Sequence, residues 1–186
     1  MNSPAEHYAG VGAGAIRSLV KAMNAIIIVS GCIMALTFFF VVILRYIFNA
    51  DLFAYEEWLL TIAFWMFFMA SAVATYRNTH INADILGILL HDPKKIWLRG
   101  LLVTGIELVI LVFLTYLGAQ MILEDLAKYP RWQTTIALKI PFVVPRMGIF
   151  LGLFFMMAFS LLSLIVQIKT GPERVARDTL APGIGE

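Results

Sequence analysis

The chain has 186 residues, of which 61% are hydrophobic and 14% charged, and its formal net charge is +2. A soluble domain usually carries about a quarter charged residues, so this composition favours a membrane protein. The small net charge argues against nucleic acid as a partner. The single cysteine, Cys32, excludes an intrachain disulfide and a metal site built on two cysteines.

Four apolar segments are long enough to cross a bilayer, which takes about 20 residues in a helix. They cover residues 22–44, 58–76, 100–123 and 148–168, and only the third contains a charged residue, Glu107. The first is too long for the core of a signal peptide, so we expect it to be retained. We predict an all-α integral membrane protein with four transmembrane helices. Residues 1–21 and 169–186 would be tails, the second disordered, and residues 22–168 the membrane domain.

The distribution of Lys and Arg predicts the orientation, because these residues are enriched in cytoplasmic loops. Nine of them lie in the two tails and the second connection, and five lie in the first and third connections. Both termini are therefore predicted to be cytoplasmic. The third connection weakens this bias, since it contains four of the five outer residues: Lys128, Arg131, Lys139 and Arg146.

The first connection is charged at both ends. Arg45 closes the first span, and Glu56, Glu57 and Trp58 open the second. Two carboxylates at a helix start interact favourably with the helix dipole, and the short connection makes an Arg45–Glu57 ion pair feasible. No nucleophile, metal-ligand cluster or glycine-rich phosphate loop accompanies the carboxylates, so we interpret them as structural and as candidates for a partner interface.

The second connection contains a polar motif and a possible interfacial helix. Four apolar residues recur there at helical spacing, which predicts a short helix lying on the cytoplasmic membrane surface; they are Ile81, Ile85, Ile88 and Leu89. The polar motif consists of Arg77, His80 and Asp84. One His and one Asp do not make a metal site, so we expect contact with water or with the headgroups of membrane lipids.

The third and fourth spans contain small residues at the spacing of one helix face. Membrane helices associate where small residues let their backbones approach closely. Gly100, Thr104, Glu107 and Gly118 form a stripe on the third span, and Gly148 and Gly152 form a G-x-x-x-G motif on the fourth. These faces pack either within the chain or against a partner, and the pattern favours the first.

Glu107 lies near the middle of the third span. Acidic residues at this depth are costly and usually face protein or water. Glu107 is therefore either a proton or cation site, or a carboxylic acid that hydrogen-bonds a neighbouring or partner helix; we favour the second. The histidines, His7, His80 and His91, lie outside the spans. This argues against a haem-binding redox anchor, which needs axial histidines in the membrane, and no cofactor is expected.

In order and spacing, these features resemble the small membrane subunit, DctQ-like or Q, of tripartite ATP-independent periplasmic (TRAP) transporters. The resemblance covers about residues 20–168. Its most characteristic residues are Arg45-Tyr46, Glu56-Glu57-Trp58, Arg77 with His80-Ile81 and Asp84, and the prolines Pro141 and Pro145.

The resemblance implies a role without enzymatic activity. In this family the small subunit binds a large membrane subunit that carries the substrate and sodium sites. A separate periplasmic substrate-binding protein captures the solute, typically an organic acid. The chain would then be a scaffold in the bacterial inner membrane. The alternative is a small four-helix exporter coupled to protons through Glu107, and transport by the chain alone would distinguish the two.

Overall fold

The computed structural model describes residues 12–77 and 92–180, which form four long helices. They are α1 (Gly12–Ile47), α2 (Tyr55–Arg77), α3 (Pro93–Ala127) and α4 (Val143–Leu180). Each contains a segment long and apolar enough to cross a membrane. The described residues contain no β-strand, only an isolated antiparallel bridge between Thr134 and Pro141. The predicted all-α fold with four membrane helices is confirmed.

The helix ends follow from local sequence. The Asp92 side chain accepts a hydrogen bond from the Lys94 backbone N–H at 3.2 Å and caps α3, and Pro93 occupies its first turn, where no N–H is needed. The helical stretch of α4 is broken at Gly171, whose φ of 67° is accessible to glycine at little cost.

Three predicted features are not tested by these helices. The interfacial helix, with His80 and Asp84, falls on residues 78–91, outside the described residues. Helix α1 begins within the predicted N-terminal tail, and α4 passes residue 169, where the C-terminal tail was placed. The tail boundaries and the disorder of the second tail stay predictions.

Helix α4 is the centre of the bundle, because it packs against both α2 and α3, while α1 packs against α2. Tyr76 of α2 contacts Phe159 of α4, and Trp65 lies over Gly148, so these two helices run parallel. Gln167 bonds Thr104 near the start of α3, so α3 and α4 run antiparallel.

The hydrophobic core lies where α1, α2 and α4 meet, around Met23, Met69, Ala72 and Phe159. At the other end, α1 and α2 border an apolar groove of about 580 Å³ that contains Trp58 in its wall. The bundle is therefore closely packed near the N-terminal end of α1 and open beside its C-terminal end.

Candidate partner interface

Glu57 fastens the connection between α3 and α4 to the start of α2. One carboxylate oxygen accepts a hydrogen bond from the Ala137 N–H and the other accepts one from the Leu138 N–H, each at 2.8 Å. The connection thus lies against the first turn of α2. Hydrogen bonds from two amides to an ionised carboxylate are stronger than neutral ones, so Glu57 holds the shape of this connection.

Replacing Glu57 with alanine should free this connection. We expect the amides of Ala137 and Leu138 to exchange hydrogen faster, by roughly tenfold, because each loses a charge-assisted acceptor. Hydrogen exchange of the detergent-solubilised protein measures the change. Glu56→Ala is the matched control, since Glu56 is the exposed neighbour of Glu57. Equal exchange in Glu57→Ala and the parent protein would contradict the role assigned to Glu57.

The feasible ion pair between Arg45 and Glu57 is not formed. Arg45 instead pairs with Asp51 of the α1–α2 connection, with Nε and Oδ1 3.4 Å apart. The two side chains are 60% and 78% exposed, so this pair adds little stability. The Arg45–Glu57 pair does not form because Glu57 turns toward amides of the α3–α4 connection, which are 80 and 81 residues away in the chain.

A buried ion pair links the C-terminal end of α3 to the N-terminal end of α4, and the sequence analysis did not identify it. Arg146 donates through Nη1 to Oδ1 of Asp125. The Asp125 side chain is only 7% exposed, so its contact with Arg146 offsets the cost of removing the carboxylate from water. Opposite charges flanking the connection of two antiparallel helices were the signal that could have predicted the pair.

A polar cluster joins the N-terminal part of α3 to the C-terminal half of α4. The Trp97 Nε1–H donates to the backbone carbonyl of Gln167 at 3.0 Å, and the Gln167 side-chain amide donates to the Thr104 hydroxyl at 3.1 Å. A Cβ on Gly100 would lie 3.8 Å from Oε1 of Gln167. Two of the predicted stripe residues, Gly100 and Thr104, therefore face α4 within the chain.

Glu107 is half-buried on the next turn of the same stripe. It has no ion-pair or hydrogen-bond partner among residues 12–77 and 92–180. The same described residues contain no group of three or more His, Cys, Asp or Glu that could hold a metal ion. The role of Glu107 stays a prediction.

The remaining small residues lie at helix crossings. A Cβ on Gly118 would contact Phe150 at 3.4 Å, and one on Gly148 would lie 3.0 Å from the Trp65 ring. At Gly152 a Cβ would lie 2.9 Å from backbone atoms of Phe68, so α2 and α4 come together there only because the side chain is absent. These contacts are all internal to the chain.

Two of the predicted interface residues, Trp58 and Glu56, border grooves on the outside of the bundle and do not lie at a helix crossing. Trp58 borders the α1–α2 groove. Glu56 borders a second groove, of about 460 Å³, whose other wall includes Ile136 and Phe142. Arg77 is exposed at the end of α2. Glu56 and Trp58 remain candidates for a partner interface, and contact of Arg77 with water or lipid headgroups stays a prediction.

Comparison with known protein families gave a match. The family described as "Tripartite ATP-independent periplasmic transporters, DctQ component" matches residues 33–170, which run from the middle of α1 into α4. A comparison with curated proteins gave no match.

Proposed function

The chain belongs to the DctQ family, the small membrane component of TRAP transporters, and from this premise we propose that it is a scaffold subunit. In this proposal it binds and stabilises a large membrane subunit, which carries out sodium-driven import of an organic acid delivered by a periplasmic binding protein. The chain itself would not transport.

One observation supports the scaffold role above others: polar side chains near both ends of α3 join this helix to α4. Asp125 is paired with Arg146, and Thr104 is paired with Gln167. The grooves are lined mainly by apolar side chains and open outward. Such a bundle is suited to hold a neighbouring protein at its outer surface.

We also propose an orientation. With both termini in the cytoplasm of a bacterium, the α1–α2 and α3–α4 connections lie on the periplasmic side of the inner membrane. The excess of basic residues on the terminal side supports this orientation. It puts Glu57 and the Asp125–Arg146 pair at the periplasmic ends of the helices.

The second candidate, a proton-coupled exporter, is favoured by one observation, the half-buried Glu107 without a partner among the described residues. The scaffold and the exporter make opposite predictions for transport by the chain alone. Proteoliposomes containing the chain alone should show no uptake or export, whereas adding the large subunit, the binding protein and a sodium gradient should give uptake.

Glu107→Gln sharpens the test, because it keeps the shape and removes the charge. We expect the assembled transporter with this change to keep most of its uptake, since an interhelical polar contact in a membrane is worth only about 0.6 kcal/mol. Transport by the chain alone, or loss of all uptake in Glu107→Gln with the complex intact on gel filtration, would contradict the scaffold proposal.

A further inference from the structure

Two hydroxyl groups are buried on α3 and α4 without a hydrogen-bond partner among the described residues. Thr115 of α3 is 8% exposed and Ser160 of α4 is 1% exposed, and neither Oγ1 of Thr115 nor Oγ of Ser160 is bonded to another described residue. A hydroxyl without a partner in an apolar environment costs free energy, and most buried side-chain polar atoms are hydrogen-bonded. These two hydroxyls therefore require an explanation.

A buried threonine elsewhere in the bundle shows the usual arrangement. Thr37 of α1 is 3% exposed, and its hydroxyl donates to the Ile33 carbonyl at 2.7 Å. Donation to the carbonyl four residues earlier commonly satisfies a hydroxyl within a helix. Thr115 and Ser160 do not form this bond, so their oxygens are available to a group that lies between the two helices.

Both hydroxyls are carried by the faces that α3 and α4 present to each other. Thr115 is three residues before Gly118, where an added Cβ would lie 3.8 Å from Leu153 of α4. Ser160 is seven residues after Leu153 and seven residues before Gln167, and both of these lie against α3. Because steps of three and seven residues stay on one helix face, Thr115 and Ser160 lie on the facing sides.

The register of the two helices brings these residues to nearly the same level. Gly118 of α3 is opposite Leu153 of α4. Seven residues earlier on α3 is Leu111 and seven residues later on α4 is Ser160, so these two are opposite each other in the antiparallel pair. Thr115 is one turn from Leu111. Side chains tilt toward the N-terminus of their own helix, so the Thr115 and Ser160 hydroxyls tilt toward each other.

The two hydroxyls lie deep in the membrane. Thr115 is eight residues from the nearer end of the apolar span 100–123, and Ser160 is eight residues from the nearer end of the span 148–168. This distance corresponds to about 12 Å along a helix. Neither bulk water nor lipid tails supply hydrogen bonds at such a depth, so the partner of these hydroxyls must be held inside the protein.

We propose that α3 and α4 enclose a site for one water molecule, which bridges the hydroxyls of Thr115 and Ser160. Each hydroxyl can donate and accept, and a buried water makes about three hydrogen bonds, so one water satisfies both groups. The ligand is neutral, because two hydroxyls carry no charge that would offset the cost of removing an ion from water. The site depends on the packing of α3 against α4 and not on the proposed function.

The bridging water adds a polar contact about midway between two that join the same helices. The Thr104–Gln167 contact lies toward the start of α3, and the Asp125–Arg146 pair lies toward its end. Thr115 is about 15 Å along α3 from each of these levels. Polar contacts then hold α3 against α4 near both ends and in the middle.

Water-edited solid-state NMR of the full chain in lipid bilayers detects the bridging water directly. We expect a cross-peak between water and the Thr115 methyl group. Thr37 is the matched control, because it is equally buried and bonded within its own helix, and its methyl group should show no cross-peak. Absence of the Thr115 cross-peak, or equal cross-peaks at Thr115 and Thr37, would overturn the inference.

Removal of the hydroxyls tests the same site through stability. Thr115→Val keeps the shape of the side chain, and Ser160→Ala removes only Oγ. Each change should lower the folding equilibrium constant by about three- to tenfold, because the water loses one of its partners. The double variant should be little less stable than either single variant, since the second hydroxyl has no bridge left to lose. Steric trapping in bicelles measures all three equilibrium constants.

The double variant separates a bridge from the alternatives. A single variant as stable as the parent would mean that the hydroxyl has no partner to lose, and the water site would be wrong. Losses that add in the double variant would mean that each hydroxyl bonds its own helix, which also contradicts the bridge. Thr37→Val combined with Ser160→Ala is the control: its losses should add, because the two residues share no partner. Coupled losses in this control would likewise count against the bridge.

Discussion

Gly152→Ala should destabilise the bundle, although it adds a single methyl group. The added Cβ would lie 2.5 Å from Cβ of Phe68 and 2.9 Å from its carbonyl carbon and oxygen. A flexible side chain could move aside, but these are atoms at or next to the backbone of α2, so the two helices must separate. Overpacking of this kind costs about 1–3 kcal/mol. Steric trapping or a denaturing-detergent titration in bicelles measures the loss.

Gly105→Ala is the matched control for this substitution. Gly105 lies in the middle of α3, and a Cβ there would meet nothing within 4 Å. Alanine also has the higher helix propensity, so this variant should be as stable as the parent or slightly more stable. If Gly152→Ala and Gly105→Ala unfold at the same detergent fraction, the result would contradict the close approach of α2 and α4 at Gly152.

Arg146→Leu should cause the largest loss of stability among single substitutions of charged residues. It would leave the Asp125 carboxylate, which is 7% exposed, without its cation. Removing one partner of a buried ion pair costs about 3–5 kcal/mol, because the remaining charge is still removed from water. Arg146 also lies over the Phe142 ring, 5.8 Å from its centroid, so part of the loss would come from packing. Unfolding free energy and the yield of folded protein report the effect.

A second substitution separates loss of the pair from loss of packing. In the double variant Asp125→Leu, Arg146→Leu no charge remains buried, so much of the stability lost in Arg146→Leu should return. Arg131→Leu, which removes an exposed cation of the same connection, should change stability little. A double variant less stable than Arg146→Leu would show that the pair supplies something other than charge neutralisation.

Contacts at both ends of α3 hold this helix firmly against α4. Trp97, Thr104 and Gln167 join the N-terminal part of α3 to the C-terminal half of α4. Asp125 and Arg146 join the end of α3 to the start of α4. Because α2 is held against α4 at Gly148 and Gly152, the second, third and fourth helices form one block. A rigid block is suited to the scaffold role proposed for the chain.

The sequence by itself determined the number and type of the helices. The signal for a membrane span is local in the sequence, because about 20 consecutive apolar residues suffice to indicate it. All four indicated spans are helices in the structure. Small residues were also identifiable as packing positions, since close approach of membrane helices demands them. Gly118, Gly148 and Gly152 all lie at helix contacts.

Only the tertiary structure decided which helix each of these faces meets and which polar groups pair. The sequence made an ion pair between Arg45 and Glu57 feasible, yet Glu57 bonds Ala137 and Leu138. Arg146 was counted only as a loop cation, whereas the structure shows that it forms a buried pair with Asp125. Hydropathy and spacing describe each helix alone. The partners of a polar side chain depend on how helices distant in the chain cross, and those crossings are set by the packing of the whole bundle.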